Sequence, residues 1–170
     1  LKIEIPGGQP WEPQNFNGEY TGNIVLKKAL LKSINIVSAK LMQQVGPDKV
    51  IQIARKFGIK SPLGKNLSLA LGTSGVAPIE IASAYSVIAN LGIYNEPYLI
   101  QQIEDFQGNR LYEHFYQGVQ QFAPDSLYPL FDMMQGVIER GTGRVVRRMG
   151  FKHPVAGKTG TTNEFKDAWF

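Results

Sequence analysis

The pattern of apolar and polar positions predicts five helices along the chain. The first ends near Ser33, and the second begins after Asn35 and runs towards Gly46. The third is expected to be capped by Asp48 and to end at Gly58. Pro78 opens a fourth helix that Gly92 closes, and a fifth covers 124–140.

Helical spacing marks one apolar face on each of the last two helices, which we therefore predict to be core elements. The fourth helix presents Ile81, Ala84, Tyr85, Ile88 and Leu91. The fifth presents Leu127, Leu130, Phe131, Met134, Val137 and Ile138.

The segments between the helices carry other signals. Residues 1–20 are rich in proline, glycine and aromatic residues and predict an extended, turn-rich segment, while 59–76 predicts a loop. Residues 98–112 predict a hairpin with a polar turn at 105–109. Near the end, the apolar 154–156 leads into a predicted strand that carries Lys158.

Composition excludes several classes of function. With 170 residues and 43% hydrophobic content, the chain can bury a sizeable core, as one domain or most of one. The mild net charge of +4 has no long basic run, so nucleic acid is not indicated. No signal peptide and no membrane-length apolar run is present, and we expect both ends to be cuts within a longer protein that carries any anchor elsewhere.

The residue types needed for thiol or zinc chemistry are missing. Cysteine is absent, which excludes thiol catalysis and disulfides. His114 and His153 are far apart and are interpreted as surface residues, so a zinc site or a histidine-based triad is not predicted. We expect no metal and no organic cofactor.

One stretch concentrates chemistry, Gly157-Lys158-Thr159-Gly160-Thr161-Thr162-Asn163. Its cation and hydroxyls can bind a carboxylate, and its glycines allow a ligand backbone to come close. A phosphate-binding loop is excluded because Lys152 stands where that motif needs a glycine. Ser33-Ile34-Asn35, at a predicted helix junction, is a second candidate, although serine and asparagine are equally expected there as capping residues.

Five stretches together resemble class A penicillin-binding proteins. Lys158-Thr159-Gly160 resembles the third active-site motif of the penicillin-binding protein and serine β-lactamase superfamily. Ser33-Ile34-Asn35 resembles its second motif. Trp11-Glu12-Pro13-Gln14-Asn15 and Gly141-Thr142-Gly143-Arg144 are similar to the lead-in and to the turn before the lysine strand. Leu71-Gly72-Thr73-Ser74 extends the resemblance through the middle of the chain.

The resemblance implies an α/β fold of the α+β kind, in which helices cover an antiparallel sheet. It implies that 1–170 are part of a penicillin-binding transpeptidase domain, without its first motif, Ser-x-x-Lys, and its C-terminal strand and helix. No serine here has a lysine three residues later, so the nucleophile is expected upstream. The implied reaction is serine acyl transfer on the D-alanyl-D-alanine end of a peptidoglycan stem peptide, inhibited by β-lactams.

The resemblance also assigns roles. Ser33 passes a proton to the leaving amine, Asn35 holds the substrate amide, and Lys158 tunes Ser33 and attracts the terminal carboxylate. Thr159, Gly160, Thr161 and Thr162 form the substrate-binding edge, where the Thr161 N–H is an oxyanion donor. The implied location is the periplasmic face of the inner membrane, and the resemblance implies an anchor and a glycosyltransferase domain outside this chain.

Two alternatives share these motifs. A serine β-lactamase has the same second and third motifs and adds an activated water. A non-catalytic module that binds β-lactams or stem peptides needs no nucleophile. Two stretches favour the transpeptidase over the β-lactamase: the lead-in at 11–15 and the turn at 141–144, which we call the glycine turn. The sequence upstream of this chain discriminates the enzyme from the non-catalytic module.

Overall fold

The computed structural model describes residues 2–4, 9–20, 22–162 and 166–170, and helices dominate this part of the chain. The helices are α1 (Leu26–Leu31), α2 (Asn35–Val45), α3 (Pro47–Lys56), a 3₁₀ helix (Leu67–Leu71), α4 (Pro78–Ala89), α5 (Pro124–Arg140) and α6 (Val145–Arg148). The strands are β1 (Ile93–Tyr94), β2 (Gln102–Glu104), β3 (Arg110–Glu113), β4 (Val119–Gln120), β5 (Gly160–Thr161) and β6 (Ala168–Trp169).

The described strands form antiparallel pairs. β2 pairs with β3, which confirms the predicted hairpin, and β5 pairs with β6. β1 pairs with β4 across the hairpin, with Ile93 opposite Gln120. This last pair was not predicted, because each strand is two residues long and too short for a recognisable alternation.

The core lies where α5 packs on α1. Val137 and Ile138 of α5 are fully buried, and Ala29 and Leu31 bring α1 against them. Gly136 allows this close approach, since a Cβ there would lie 2.9 Å from the Leu31 side chain. The predicted buried face of α5 is therefore confirmed at its centre, and it fixes α1 and the residues that follow it.

The predicted core face of α4 is wrong in part. Ile81, Tyr85 and Leu91 are exposed, while Ser83 and Val87 are buried. Apolar side chains occur almost all the way around this helix, so the spacing cannot select which side packs on its neighbours.

Four other expectations from the sequence differ in detail from the structure. Asp48 lies in the first turn of α3 and Gly46 is its N-cap. Asn35 is itself the first residue of α2, and the predicted loop 59–76 contains the 3₁₀ helix. Within the described residues, the strand pairing of the predicted lysine strand covers Gly160 and Thr161, and Lys158 lies before it. No helix in the described ranges is long and apolar enough to cross a membrane.

Candidate active site

Ser33 lies in the tight connection between α1 and α2. Its φ of 54° is in the left-handed region, which non-glycine residues rarely adopt. Two backbone bonds close the end of α1 around it, from Ser33 N to Leu30 O and from Ile34 N to Ala29 O, both 3.0 Å. The strained residue is thus fixed by its neighbours, as is common at functional sites.

Lys158 meets Ser33 across 125 residues of sequence. Its Nζ donates to Ser33 Oγ at 2.8 Å and to the Thr159 carbonyl oxygen at 2.8 Å. An ammonium group only donates, so the Ser33 oxygen accepts and its own hydrogen remains free for another acceptor. The structure therefore brings together two residues that sequence motifs had singled out separately.

The electrostatics of Lys158 follow from its position. The side chain is half-buried, and burial lowers the pKa of its ammonium below the usual value. Both of its hydrogen-bond partners are neutral groups. The cation is consequently available to a bound anion.

The lysine segment is attached to the helical core through its backbone. Gly157 N donates to the carbonyl oxygen of Met134 in α5 at 3.3 Å. Gly157 is buried, and a Cβ there would lie 2.4 Å from the tip of the exposed Phe170 ring, which would have to move aside. A Cβ at Gly160 would contact nothing, so open space for a ligand adjoins Gly160 and not Gly157.

The three threonines of the motif have different surroundings. The Thr159 hydroxyl lies 2.6 Å from the Thr142 hydroxyl. The Thr162 hydroxyl bonds the backbone of Asp167, accepting from its N–H at 2.8 Å. Thr161 is exposed, and its hydroxyl has no hydrogen-bond partner within the described residues. Asn163, the last residue of the predicted stretch, lies outside them.

Asn35 is held by the segment that precedes α1. Its Nδ2 donates to Gln14 O at 2.9 Å, which leaves its side-chain oxygen open. The neighbouring Asn15 is 7% exposed; its Oδ1 accepts from Ile36 N at 3.2 Å and its Nδ2 donates to Glu19 O at 2.7 Å. Asn15 thus caps the start of α2 from a remote segment.

Asn15 and Thr142 are functional candidates that the residue patterns did not reveal. Both belong to stretches recognised by resemblance, which is the only signal the sequence offers for them. Their roles depend on contacts with residues 21 and 17 positions away. Spacing rules for helices and strands do not reach that far.

The described residues contain no group of three acidic, histidine or cysteine side chains that could hold a metal ion. His153 is exposed, as predicted for both histidines. His114 is instead half-buried, with its ring stacked on Tyr98 at 3.9 Å between centroids.

Comparisons with known proteins agree with this geometry. The family model "Penicillin binding protein transpeptidase domain" matches residues 2–168. The chain is 41% identical over 172 residues to penicillin-binding protein 1A of Neisseria lactamica, covering 97% of this chain and 21% of that protein. It therefore spans about a fifth of the length of this relative.

Solved structures show the same fold. The crystal structure of penicillin-binding protein 1A from Haemophilus influenzae matches with a TM-score of 0.92 at 25% identity, over 99% of this chain and 31% of that chain. The imipenem acyl-enzyme complex of penicillin-binding protein A from M. tuberculosis matches with a TM-score of 0.75 at 25% identity, over 96% and 42%. The resemblance to class A proteins and the expected α+β fold are confirmed, and the chain belongs to the penicillin-binding protein transpeptidase domain family.

Proposed function

We propose that this chain forms the supporting half of the active site of a peptidoglycan D,D-transpeptidase. The carrying observation is the 2.8 Å hydrogen bond from Lys158 Nζ to Ser33 Oγ, which joins the second and third motifs. The nucleophilic serine and its lysine are proposed to come from a part of the longer protein outside this chain. No serine among the 170 residues has a lysine three positions later.

The proposed reaction is acyl transfer in two steps. The nucleophile attacks the carbonyl carbon between the two terminal D-alanines of a stem peptide, an ester forms, and D-alanine leaves with a proton on its nitrogen. The amine of a neighbouring stem peptide then attacks the ester, the serine oxygen recovers a proton, and the cross-link is complete.

Ser33 is proposed to carry the proton to the leaving nitrogen. Its oxygen accepts from the Lys158 ammonium, so its own hydrogen can be donated into the cleft and replaced from Lys158. Asn35 is proposed to hold the substrate amide through its open side-chain oxygen. Its bond to Gln14 O keeps that oxygen in one orientation.

The terminal carboxylate of the stem peptide is proposed to bind along 158–162. Lys158 supplies the charge, and charge-assisted hydrogen bonds are stronger than neutral ones. The open Thr161 hydroxyl and the free space beside Gly160 favour this edge for the carboxylate. Thr159 and Thr162 shape the edge through their contacts with Thr142 and Asp167.

The oxyanion of the tetrahedral intermediate is proposed to accept from the Thr161 N–H. Such donors are worth on the order of 10²–10³ in turnover when their position is rigid. Pairing of Thr161 with Ala168 of β6 supports this rigidity.

Partners and location follow from this reaction. Stem peptides ending in D-alanyl-D-alanine are the proposed substrates, and β-lactams the proposed inhibitors, since a similar protein forms an imipenem acyl-enzyme. Peptidoglycan lies outside the cytoplasmic membrane, which places the proposed site on the extracytoplasmic face of the cell envelope. The membrane anchor and a glycosyltransferase domain are proposed for other parts of the longer protein.

The test is acylation of the full-length protein by a labelled penicillin, followed by intact mass and by stopped-flow rates. We expect one adduct per molecule. Ser33→Ala should slow acylation by about 10²–10⁴-fold, the range of a positioned proton-transfer group, with little change in melting temperature. Ser126→Ala, at an exposed serine in the first turn of α5, is the matched control and should react like the wild type. A full-length protein that forms no adduct would overturn the proposed function, and an unchanged rate in Ser33→Ala would mean that Ser33 takes no part in the proton transfer.

A further inference from the structure

Thr142 has no part in the chemistry proposed above, yet it contacts both sides of the site. Its backbone N–H donates to the Leu31 carbonyl oxygen at 3.1 Å, at the end of the helix that precedes Ser33. Its hydroxyl lies 2.6 Å from the Thr159 hydroxyl, next to Lys158. One residue of the glycine turn thus links the serine junction to the lysine segment.

These contacts close a ring of hydrogen bonds. Thr142 Oγ1 bonds Thr159 Oγ1, the Thr159 carbonyl oxygen accepts from Lys158 Nζ, and Lys158 Nζ donates to Ser33 Oγ. The chain from Ser33 back to Leu31 and the bond from Thr142 N to Leu31 O complete it. The ammonium of Lys158 therefore lies between two groups, Ser33 Oγ and Thr159 O, and both are connected to Thr142.

The glycines on either side of Thr142 have a different explanation. A Cβ at Gly143 would lie 2.8 Å from the Ile138 side chain, and one at Gly141 would lie 2.8 Å from the Val137 backbone. Packing alone therefore requires both glycines. The Thr142 side chain is exposed, so packing does not explain it, and its hydroxyl contact with Thr159 is the feature left to explain.

We propose that Thr142 is a positioning residue for Lys158 and acts through its hydroxyl, an inference that rests on the proposed transpeptidase function. The bond ties the side chain of Thr159 to Thr142, and the carbonyl oxygen of the same residue accepts from the Lys158 ammonium. Thr162 is bonded to Asp167, which leaves Thr161 as the threonine of the motif whose hydroxyl has no partner within the described residues.

The experiment compares Thr142→Val and Thr142→Ser in the full-length protein, with acylation by labelled penicillin as the readout. Valine keeps the shape and removes the hydroxyl, whereas serine keeps the hydroxyl and removes the methyl group. We expect Thr142→Val to slow acylation about threefold to tenfold, the scale of one net hydrogen bond, and Thr142→Ser to retain the wild-type rate. A packing role predicts the reverse order, and a role of the backbone turn alone predicts wild-type rates for both; either result overturns the proposal.

A double-mutant cycle with Thr159→Val tests the partner. The proposal expects Thr159→Val to slow acylation as much as Thr142→Val does, and the double variant to be no slower than either. Additive losses would mean that the two hydroxyls act independently, which overturns the proposal. If Thr142→Val does not fold, Thr159→Val and Thr142→Ser still test the proposal. The proposal requires slow acylation in Thr159→Val and a wild-type rate in Thr142→Ser.

Thr73→Val is the matched control, because the Thr73 hydroxyl also pairs with another hydroxyl, that of Ser68 at 2.9 Å. It lies in the loop after the 3₁₀ helix and should leave the acylation rate unchanged. Acylation of the wild-type protein distinguishes a failure of the proposed function from a failure of the role proposed for Thr142. If the wild type is not acylated, the proposed function fails; if it is acylated and Thr142→Val matches it, only the positioning role fails.

Discussion

The lysine segment 157–162 and the hairpin 102–113 both contain strands of only two to four residues, but different contacts hold them. Around the hairpin turn, the Asp105 carboxylate bonds residues two and four positions away. The lysine segment instead depends on Ser33, Thr142 and Met134, of which Ser33 is 125 residues distant. One region encodes its own shape, whereas the other takes its shape from the helices beneath it.

This difference predicts opposite sensitivities. Changes in the helices and in the glycine turn should damage the lysine segment from a distance. Changes at the hairpin should remain local and leave the chemistry intact. Four predictions test these expectations, from the largest expected effect to the smallest.

Gly141→Ala should have the largest effect. The new Cβ would lie 2.8 Å from the Val137 backbone and closer still to the Leu31 carbonyl oxygen, and backbone atoms cannot rotate away. Overpacking of this kind costs roughly 1–3 kcal/mol. The shift would also separate Thr142 N from Leu31 O, so we expect a lower melting temperature and slower acylation of the full-length protein.

Gly75→Ala is the control for that substitution. A Cβ at Gly75 would contact nothing, so we expect an unchanged melting temperature and an unchanged acylation rate. If Gly141→Ala behaved like Gly75→Ala in both measurements, the glycine turn would not connect the two halves of the site.

The sequence predicts the locally held parts of the structure better than the parts held by distant residues. The α5 face and the hairpin 102–113 were predictable because their signals repeat within a few residues. The pairing of β1 with β4 and the Thr142 contact with Thr159 were not, since neither leaves a periodic trace. Ser33 and Lys158 were recognised as separate motifs, and only the packing of α1 on α5 explains why they meet.

Asn15→Ala should have an intermediate effect. Its side chain caps the first turn of α2, and removing a capping side chain costs roughly 0.5–2 kcal/mol. Because Asn35 begins that helix and is itself held by Gln14 O, the loss should also slow acylation. Thermal unfolding and acylation of the full-length protein measure the two effects.

Asn66→Ala is the matched control, since Asn66 caps the 3₁₀ helix by accepting from Leu69 N at 3.2 Å. It should reduce stability without slowing acylation. The opposite results would contradict this prediction. A slower acylation rate in Asn66→Ala would mean that lost stability alone slows the reaction, and a normal rate in Asn15→Ala would mean that the cap of α2 does not affect the site.

Asp105→Ala should have the smallest and most local effect. The Asp105 carboxylate accepts from the Asn109 side chain at 2.7 Å and from the backbone N–H groups of Gln107 and Asn109 at 2.8 Å each. Losing these bonds should loosen the turn between β2 and β3. We expect faster hydrogen–deuterium exchange in peptides that span 99–116 and an unchanged acylation rate.

The same carboxylate should give the wild-type hairpin a dependence on acid. The bond from the Asn109 side chain, followed by those from the backbone, lowers the pKa of Asp105 below its ordinary value of 3.8. A carboxyl group whose pKa is lower in the folded state contributes stability that is fully present above the unfolded value and is lost as the pH falls through the folded one. Exchange in 99–116, referenced to the unfolded protein at each pH, should therefore accelerate below about pH 3.8 in the wild type. In Asp105→Ala that acid-dependent step should be absent. If the wild type and Asp105→Ala accelerated alike, some other group would control the hairpin, and its shape would not be set by its own turn.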